Sequence, residues 1–134
     1  MRIEVTYDDL DELPPRPRQA IPAADRELLH LAARAIGAVR VDDIDGEQWL
    51  NLHFADGTVM HGWNALLYYS DTFELSVALE LDIMHRVVGG TRVEVLPPGG
   101  PLTQEFYAQD RLHATARAVV RAAAEIGKSK NPRR

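Results

Sequence analysis

The chain has 134 residues, of which 46% are hydrophobic and 26% are charged, and this composition is typical of one soluble domain. Its net charge is −5, although seven basic residues and only two acidic ones lie after residue 109. The lack of cysteine excludes disulfides, thiol catalysis and cysteine-ligated metal sites. No apolar run approaches the ~20 residues of a membrane helix and the start lacks a signal-peptide core, so we expect a cytoplasmic protein without a membrane partner.

Residues 1–20 are predicted to form a strand and then an acidic, proline-rich arm. Ile3, Val5 and Tyr7 alternate with polar residues, which is the period of a half-buried strand. Four acidic side chains follow the strand: Asp8, Asp9, Asp11 and Glu12. Prolines at positions 14, 15 and 17 then favour an extended backbone, so the main domain is expected to begin at residue 21.

The main domain, residues 21–127, opens with a predicted helix and a strand. Pro22 suits the first helical position, and Gly37 is a typical helix stop. Apolar residues recur at helical spacing between them: Leu28, Leu31, Ala32, Ala35 and Ile36. Residues 38–41 then have the composition of a strand.

Asp56 and Gly57 predict a two-residue hairpin turn between strands at 48–54 and 58–63. The register of such a hairpin pairs Phe54 with Val59, Leu52 with His61, and Leu50 with Trp63. It builds one mainly apolar face, and it turns His53 and His61 to opposite faces.

A short helix and a second hairpin are predicted next. Asp71 and Glu74 have the spacing of a capping box. An apolar stripe runs through this helix: Phe73, Val77, Ala78 and Leu81. We expect Phe73 and Trp63 in the core. Two β-branched runs at 83–88 and 91–96, separated by two glycines, predict the hairpin.

The last element is a long alanine-rich helix, with Asp110 as its expected N-cap and its end near Gly127. Its predicted core stripe is Leu112, Ala116, Val119, Ala123 and Ile126. Arg117 and Arg121 share a face that we expect to be solvated, and residues 128–134 are predicted to form a basic disordered tail. The fold class expected is α+β, a small sheet of antiparallel hairpins covered by about three helices, the C-terminal one longest.

No catalytic, metal or cofactor motif stands out in the chain. The five histidines lack the close spacing of metal ligands, and the glycine pairs lack the sequence of a phosphate-binding loop. The acidic stretch at 43–47 begins like a calcium loop but continues as a strand. We therefore expect no cofactor and no enzyme, with a small histidine-dependent enzyme using His53, His61 or His85 as an open alternative.

Three stretches carry a resemblance to known proteins. Residues 63–66 read WNAL, residues 71–79 read DTFELSVAL, and residues 114–127 read ATARAVVRAAAEIG. They resemble small phage and prophage proteins that pair WNPL and D-AL-LAV segments with a closing helix of this kind. The resemblance implies a layered α/β fold and a phage origin, and it supplies no catalytic residues. Ala65 stands where that group has proline, and residues 67–70 replace its acidic loop.

These observations predict a phage or prophage accessory protein that acts by non-catalytic binding to a host or phage protein, such as a component of a host defence system. Tyr68 and Tyr69, between a strand and a helix, are candidate contact residues, together with the acidic residues at 8–12. Nucleic-acid binding through the basic C-terminal helix, including Arg117 and Arg121, and its tail is an alternative. A homo-oligomer is left open.

Overall fold

The structure, a computed structural model, describes residues 20–107 and 110–130. Its helices and strands follow one another as α1 (Ala23–Ala35), β1 (Ala38–Asp43), β2 (Leu50–Phe54), β3 (Val59–Trp63), α2 (Tyr69–Ala78), β4 (Asp82–Arg86), β5 (Arg92–Leu96), β6 (Thr103–Phe106) and α3 (Arg111–Lys130). The strands form two antiparallel three-stranded sheets, β1-β2-β3 and β4-β5-β6. The predicted α+β class, with the C-terminal helix longest, is confirmed. No helix within the described ranges is long and apolar enough to cross a membrane.

Helix α3 makes the most extensive contacts in the fold, because it packs along α1 and also contacts α2, β5 and β6. Asp110 caps it as predicted, since its Oδ1 accepts a hydrogen bond of 3.1 Å from the His113 N–H. Alanines occupy much of its buried face: Ala114, Ala116, Ala118, Ala122, Ala123 and Ala124. Such small side chains let the two helices approach closely.

Gly127 lies where α3 comes nearest to α1. A Cβ atom at this position would lie 1.9 Å from the backbone carbonyl oxygen of Leu31, which is far inside van der Waals contact. The expected helix end near Gly127 is wrong, because α3 continues to Lys130. Residues 128–130 are therefore helical, and the rest of the predicted tail, residues 131–134, lies outside the described residues.

The hairpin of β2 and β3 departs from the expected register at its turn. The turn holds three residues, 55–57, and Gly57 adopts a φ of 91°. A positive φ at the third position is typical of three-residue hairpin loops. The observed pairs are His53 with Val59 and Leu52 with Met60, one residue away from the prediction.

A β-bulge then brings the strands back to the expected pairing. The ladder shifts between Leu50 and Leu52, and Gly62 adopts a φ of 71° in the opposite strand. Its N–H donates a hydrogen bond of 3.1 Å to Oδ1 of Asn51. Leu50 consequently pairs with Trp63 as predicted, and the Trp63 side chain is buried.

The second sheet contains the predicted hairpin and one strand that was not expected. Strands β4 and β5 pair without interruption from Asp82 with Leu96 to Arg86 with Arg92. Strand β6 pairs with β5 but has only four residues, and no turn signal separates it from the helix that follows. Val93 and Val95 of β5 are completely buried in a core cluster that also includes Val119 of α3.

Candidate functional site

Helix α2 turns large apolar side chains outward and small polar ones inward. Phe73 is 68% exposed and Val77 is 60% exposed, whereas Thr72 and Ser76 are buried beside Leu75. The predicted core stripe through Phe73 and Val77 is therefore wrong. Residues two positions apart on a helix point in nearly opposite directions, so the burial of Leu75 forces Phe73 and Val77 to the outside.

Local hydrogen bonds make the inward polar face stable. The Thr72 hydroxyl donates to the carbonyl oxygen of Ala65, and the Ser76 hydroxyl donates to the carbonyl oxygen of Phe73 at 2.7 Å. A buried hydroxyl without a partner would destabilise the fold, and both of these have one. The orientation of α2 is thus fixed by the burial of Leu75 and by the bond from Thr72 to Ala65, while the bond within the helix allows the Ser76 hydroxyl to be buried.

The start of α2 also differs from the sequence prediction. The helix begins at Tyr69, so Asp71 lies in its first turn and is not the N-cap of a capping box. Its Oδ2 accepts a hydrogen bond of 3.0 Å from the Asn64 N–H, and burial raises the pKa of its carboxyl group. Tyr68, expected in an exposed loop, precedes the helix and is half-buried, whereas Tyr69 is exposed.

An apolar groove of about 160 Å³ lies between α2, β4 and α3. Its rim carries large exposed apolar side chains: Tyr69, Phe73, Ile83 and Leu112. Buried small side chains and Val119 line its floor: Thr72, Ser76, Ala116 and Val119. Leu112 is 64% exposed, so its predicted place in the core is wrong. We call these eight residues, together with the half-buried Thr115, the α2–α3 groove.

A basic cleft adjoins the α2–α3 groove and shares Leu112 and Thr115 with it. It has a volume of about 400 Å³, and its cationic and aromatic side chains, His85, Arg86, Tyr107 and Arg111, define what we call the basic cleft. The Tyr107 hydroxyl is hydrogen-bonded to Nδ1 of His85, and the guanidinium of Arg111 lies 5.5 Å from the centre of the Tyr107 ring. Arg111 has no ion pair with any carboxylate of residues 20–107 and 110–130, so its charge is available to a ligand.

The two arginines predicted to bind a partner are engaged within the molecule. Arg117 lies 3.2 Å from Oδ1 of Asp25 and ties α3 to α1. Arg121 pairs with Glu105 of β6. The face that they share, expected to be solvated, is half-exposed, and because both side chains are paired the basic helix offers less free positive charge. The acidic candidates Asp8, Asp9, Asp11 and Glu12 lie outside the described residues.

The three histidines that a histidine-dependent enzyme would use, His53, His61 and His85, have different neighbours. His53 lies 2.7 Å from Asp42, and this hydrogen bond lowers the pKa of the Asp42 carboxyl. His61 is exposed at the bulge of β3, and His85 belongs to the basic cleft. Within the part of the chain that the structure describes, no three histidine or carboxylate side chains converge as metal ligands would.

Of the four rim residues only Tyr69 is expected at an interaction surface from the sequence, since Phe73 and Leu112 have the spacing of core residues and Ile83 that of a hairpin strand. One signal was present: in the segment 69–79, Leu75 and Leu79 lie on one helical face, and Tyr69, Phe73 and Val77, each four residues apart, lie on another. A short helix on the surface of a domain buries one face, so a second apolar face stays exposed to solvent. No family model, curated protein or solved structure matches the chain at a significant level. The fold and site thus describe an α+β domain with an apolar groove beside a basic cleft.

Proposed function

We propose that this protein acts by non-catalytic binding of another protein, and that the α2–α3 groove receives an apolar segment of that partner. The observation that carries the proposal is the ring of exposed apolar side chains around the groove, with Phe73 and Leu112 as its most exposed members. Contiguous apolar surface on a small domain is typical of interaction sites, and aromatic side chains dominate the binding energy of many interfaces.

The size of the α2–α3 groove supports a protein partner. Its volume of about 160 Å³ is below the ~300–1,000 Å³ typical of small-molecule sites. It fits one or two side chains, while the protruding rim adds contact area around them. The adjacent basic cleft, with the unpaired Arg111, favours a carboxylate next to the apolar anchor. The expected ligand is therefore a segment that combines two or three apolar residues with Asp or Glu.

The choice of a host protein as partner, and of protein over nucleic acid, is based on two further observations. The resemblance to phage and prophage proteins makes a host protein, such as a defence component, the partner that we propose to look for. Nucleic-acid binding is less favoured, because Arg117 and Arg121 of α3 already pair with Asp25 and Glu105.

A peptide library tests the binding specificity of the α2–α3 groove. The full chain is immobilised and selected against random peptides, and the enriched sequences are measured by fluorescence anisotropy. We expect enrichment of apolar peptides that carry Asp or Glu. Their affinity should fall by at least about tenfold in Phe73→Asp, since loss of one well-packed anchor typically costs more than about 1 kcal/mol.

The matched control is Val39→Asp, because Val39 is also highly exposed (67%) but lies on β1 of the other sheet. Its affinity for the same peptides should equal that of the unmodified protein. Peptides that bind equally well to Phe73→Asp would contradict the proposed function.

A further inference from the structure

The described part of the chain begins beside the α2–α3 groove. Ala20, Leu67 and His113 together line an opening of about 230 Å³. Leu67 precedes the rim residue Tyr69 by two positions, and His113 directly follows the rim residue Leu112. Ala20, the first described residue, therefore lies next to the end of the groove where α2 and α3 begin.

Residues 1–19 are long enough to reach along the whole groove. Prolines at 14, 15 and 17 favour an extended backbone that rises ~3.1 Å per residue, so residues 13–19 span ~20 Å. The groove runs along α2 from Tyr69 to Ser76, a distance of ~10 Å at 1.5 Å per residue. Residues 3–12 can thus be placed at any point of the groove and of the basic cleft.

The chemistry of residues 3–12 complements both surfaces. Its apolar side chains, Ile3, Val5, Tyr7 and Leu10, match the α2–α3 groove. Its acidic run at 8–12 matches the basic cleft, where Arg111 lacks a carboxylate partner in the described ranges. The apolar residues at 3–7 and the acidic run at 8–12 adjoin in the chain, and the groove and the cleft adjoin on the surface.

We propose that residues 3–12 occupy the α2–α3 groove of their own chain, with the apolar side chains against Phe73 and Leu112 and the acidic run toward Arg111. The segment covers the exposed rim, and a partner must displace it to bind. The claim that docking of this segment controls partner binding rests on the proposed function. The docking itself is argued only from the groove, the cleft and the sequence of the segment.

Paramagnetic NMR on the full chain tests the occupancy without any partner. Because the chain has no cysteine, Thr6→Cys accepts a single nitroxide label next to the apolar residues and leaves them in place. We expect the amide signals of Ser76 and Thr115, at the groove, to lose most of their intensity. The signals of Val39 and Arg40, on β1, should keep theirs.

The matched control carries the same label together with Ile3→Ser, Val5→Ser and Tyr7→Ser. It retains the length and charge of the segment, and it should restore the signals of Ser76 and Thr115. Unchanged groove signals in the labelled chain, or equal broadening in the control, would overturn the proposal.

A mixed sample separates binding within a chain from binding between chains. Nitroxide-labelled protein without isotope is added to isotope-labelled protein without nitroxide, so broadening reports contacts between two molecules only. We expect none at Ser76 and Thr115, and broadening confined to the mixed sample would overturn docking within one chain. The peptide selection is therefore repeated on the variant with Ile3→Ser, Val5→Ser and Tyr7→Ser, in which the groove is expected to be open. Failure of the selection on this variant, with intact broadening in the labelled chain, would contradict the proposed function alone. Successful selection without broadening would contradict the occupancy alone.

Discussion

The two ends of α3 differ in how they pack. Toward its C-terminus the helix packs on α1 through alanines and Gly127, where no space remains even for one Cβ atom. At its N-terminus Leu112 is 64% exposed and faces the apolar groove beside Phe73. The small residues are buried in a contact within the domain, whereas the large exposed residues are available to contact another segment.

The energetic reason is the amount of area that each residue can bury. A Leu or Phe side chain contributes about 1.5–3 kcal/mol when it is fully buried and little when it is exposed. Burial of Phe73 and Leu112 against another segment would therefore contribute free energy that folding of the domain has not already gained. Alanines and Gly127 have almost none left to offer, because they are already buried against α1. The following substitutions test this contrast.

The largest difference is expected between Leu75 and Phe73, the two residues that α2 turns in opposite directions. Leu75→Ala should lower the free energy of unfolding by about 2–5 kcal/mol, because it removes a completely buried side chain. Phe73→Ala should lower it by no more than about 1 kcal/mol, because its ring is mostly exposed. Urea unfolding followed by tryptophan fluorescence measures both, and equal losses would show that Phe73 belongs to the core.

The contact between α3 and α1 is tested by Gly127→Ala. Alanine is the better helix former by about 1 kcal/mol, so an exposed site would gain stability. At Gly127 the added Cβ atom meets the carbonyl oxygen of Leu31, and we expect a loss of about 1–3 kcal/mol in urea unfolding. Ser129→Ala, at an exposed position of the same turn, is the control and should change stability by less than about 0.5 kcal/mol. A stabilised Gly127→Ala protein would refute the close approach.

A smaller gain in stability is expected at the end of α2. Glu80 adopts a φ of 54°, a left-handed conformation that glycine tolerates better than other residues. The hydrogen bonds from Glu80 N–H to Val77 and from Leu81 N–H to Ser76 close the helix around it. Glu80→Gly should raise the unfolding free energy by about 0.5–1 kcal/mol. Glu80→Ala removes the charge without relieving the backbone, so an equal gain in this variant would assign the effect to charge.

The smallest expected effect is the pH dependence that Asp71 confers. Burial raises the pKa of its carboxyl in the folded chain above the value in the unfolded chain, and this outweighs the hydrogen bond from Asn64. Its contribution to stability is therefore full below the unfolded pKa of about 4 and is lost as the pH rises through the folded pKa. The free energy of unfolding of Asp71→Asn should rise relative to that of the unmodified protein as the pH increases from about 3 to neutrality. Asp45→Asn, at an exposed position in the loop between β1 and β2, serves as the reference, and the opposite trend for Asp71→Asn would contradict the assignment.

Much of the secondary structure is predictable from local signals. Two glycines between β-branched runs place the β4–β5 hairpin, Asp110 places the start of α3, and the final helix is the longest, as expected. The turn at Asp56 was predicted at the correct place but one residue too short. Strand β6 was missed because four residues carry too little pattern to be recognised without the partner strand.

The candidate site is less predictable, because it depends on which face of α2 is buried. Tyr69 was expected at an interaction surface and is a rim residue of the groove, whereas Phe73 and Leu112 were assigned to the core. The arginines of α3 were expected in solvent, and their partners on α1 and β6 are more than 15 residues away in sequence. Pairings of that kind leave no local pattern.

The sequence by itself determined the α+β class, the places of the two hairpin turns, the bounds of α1, the start of α3 and the lack of thiol chemistry, since each depends on residues within a few positions or on composition. The tertiary structure alone decided the orientation of α2, the addition of β6 and the existence of the α2–α3 groove. A helix with apolar residues on two faces is turned by what packs against it, and here Leu75, with the hydroxyls of Thr72 and Ser76, takes the inner side.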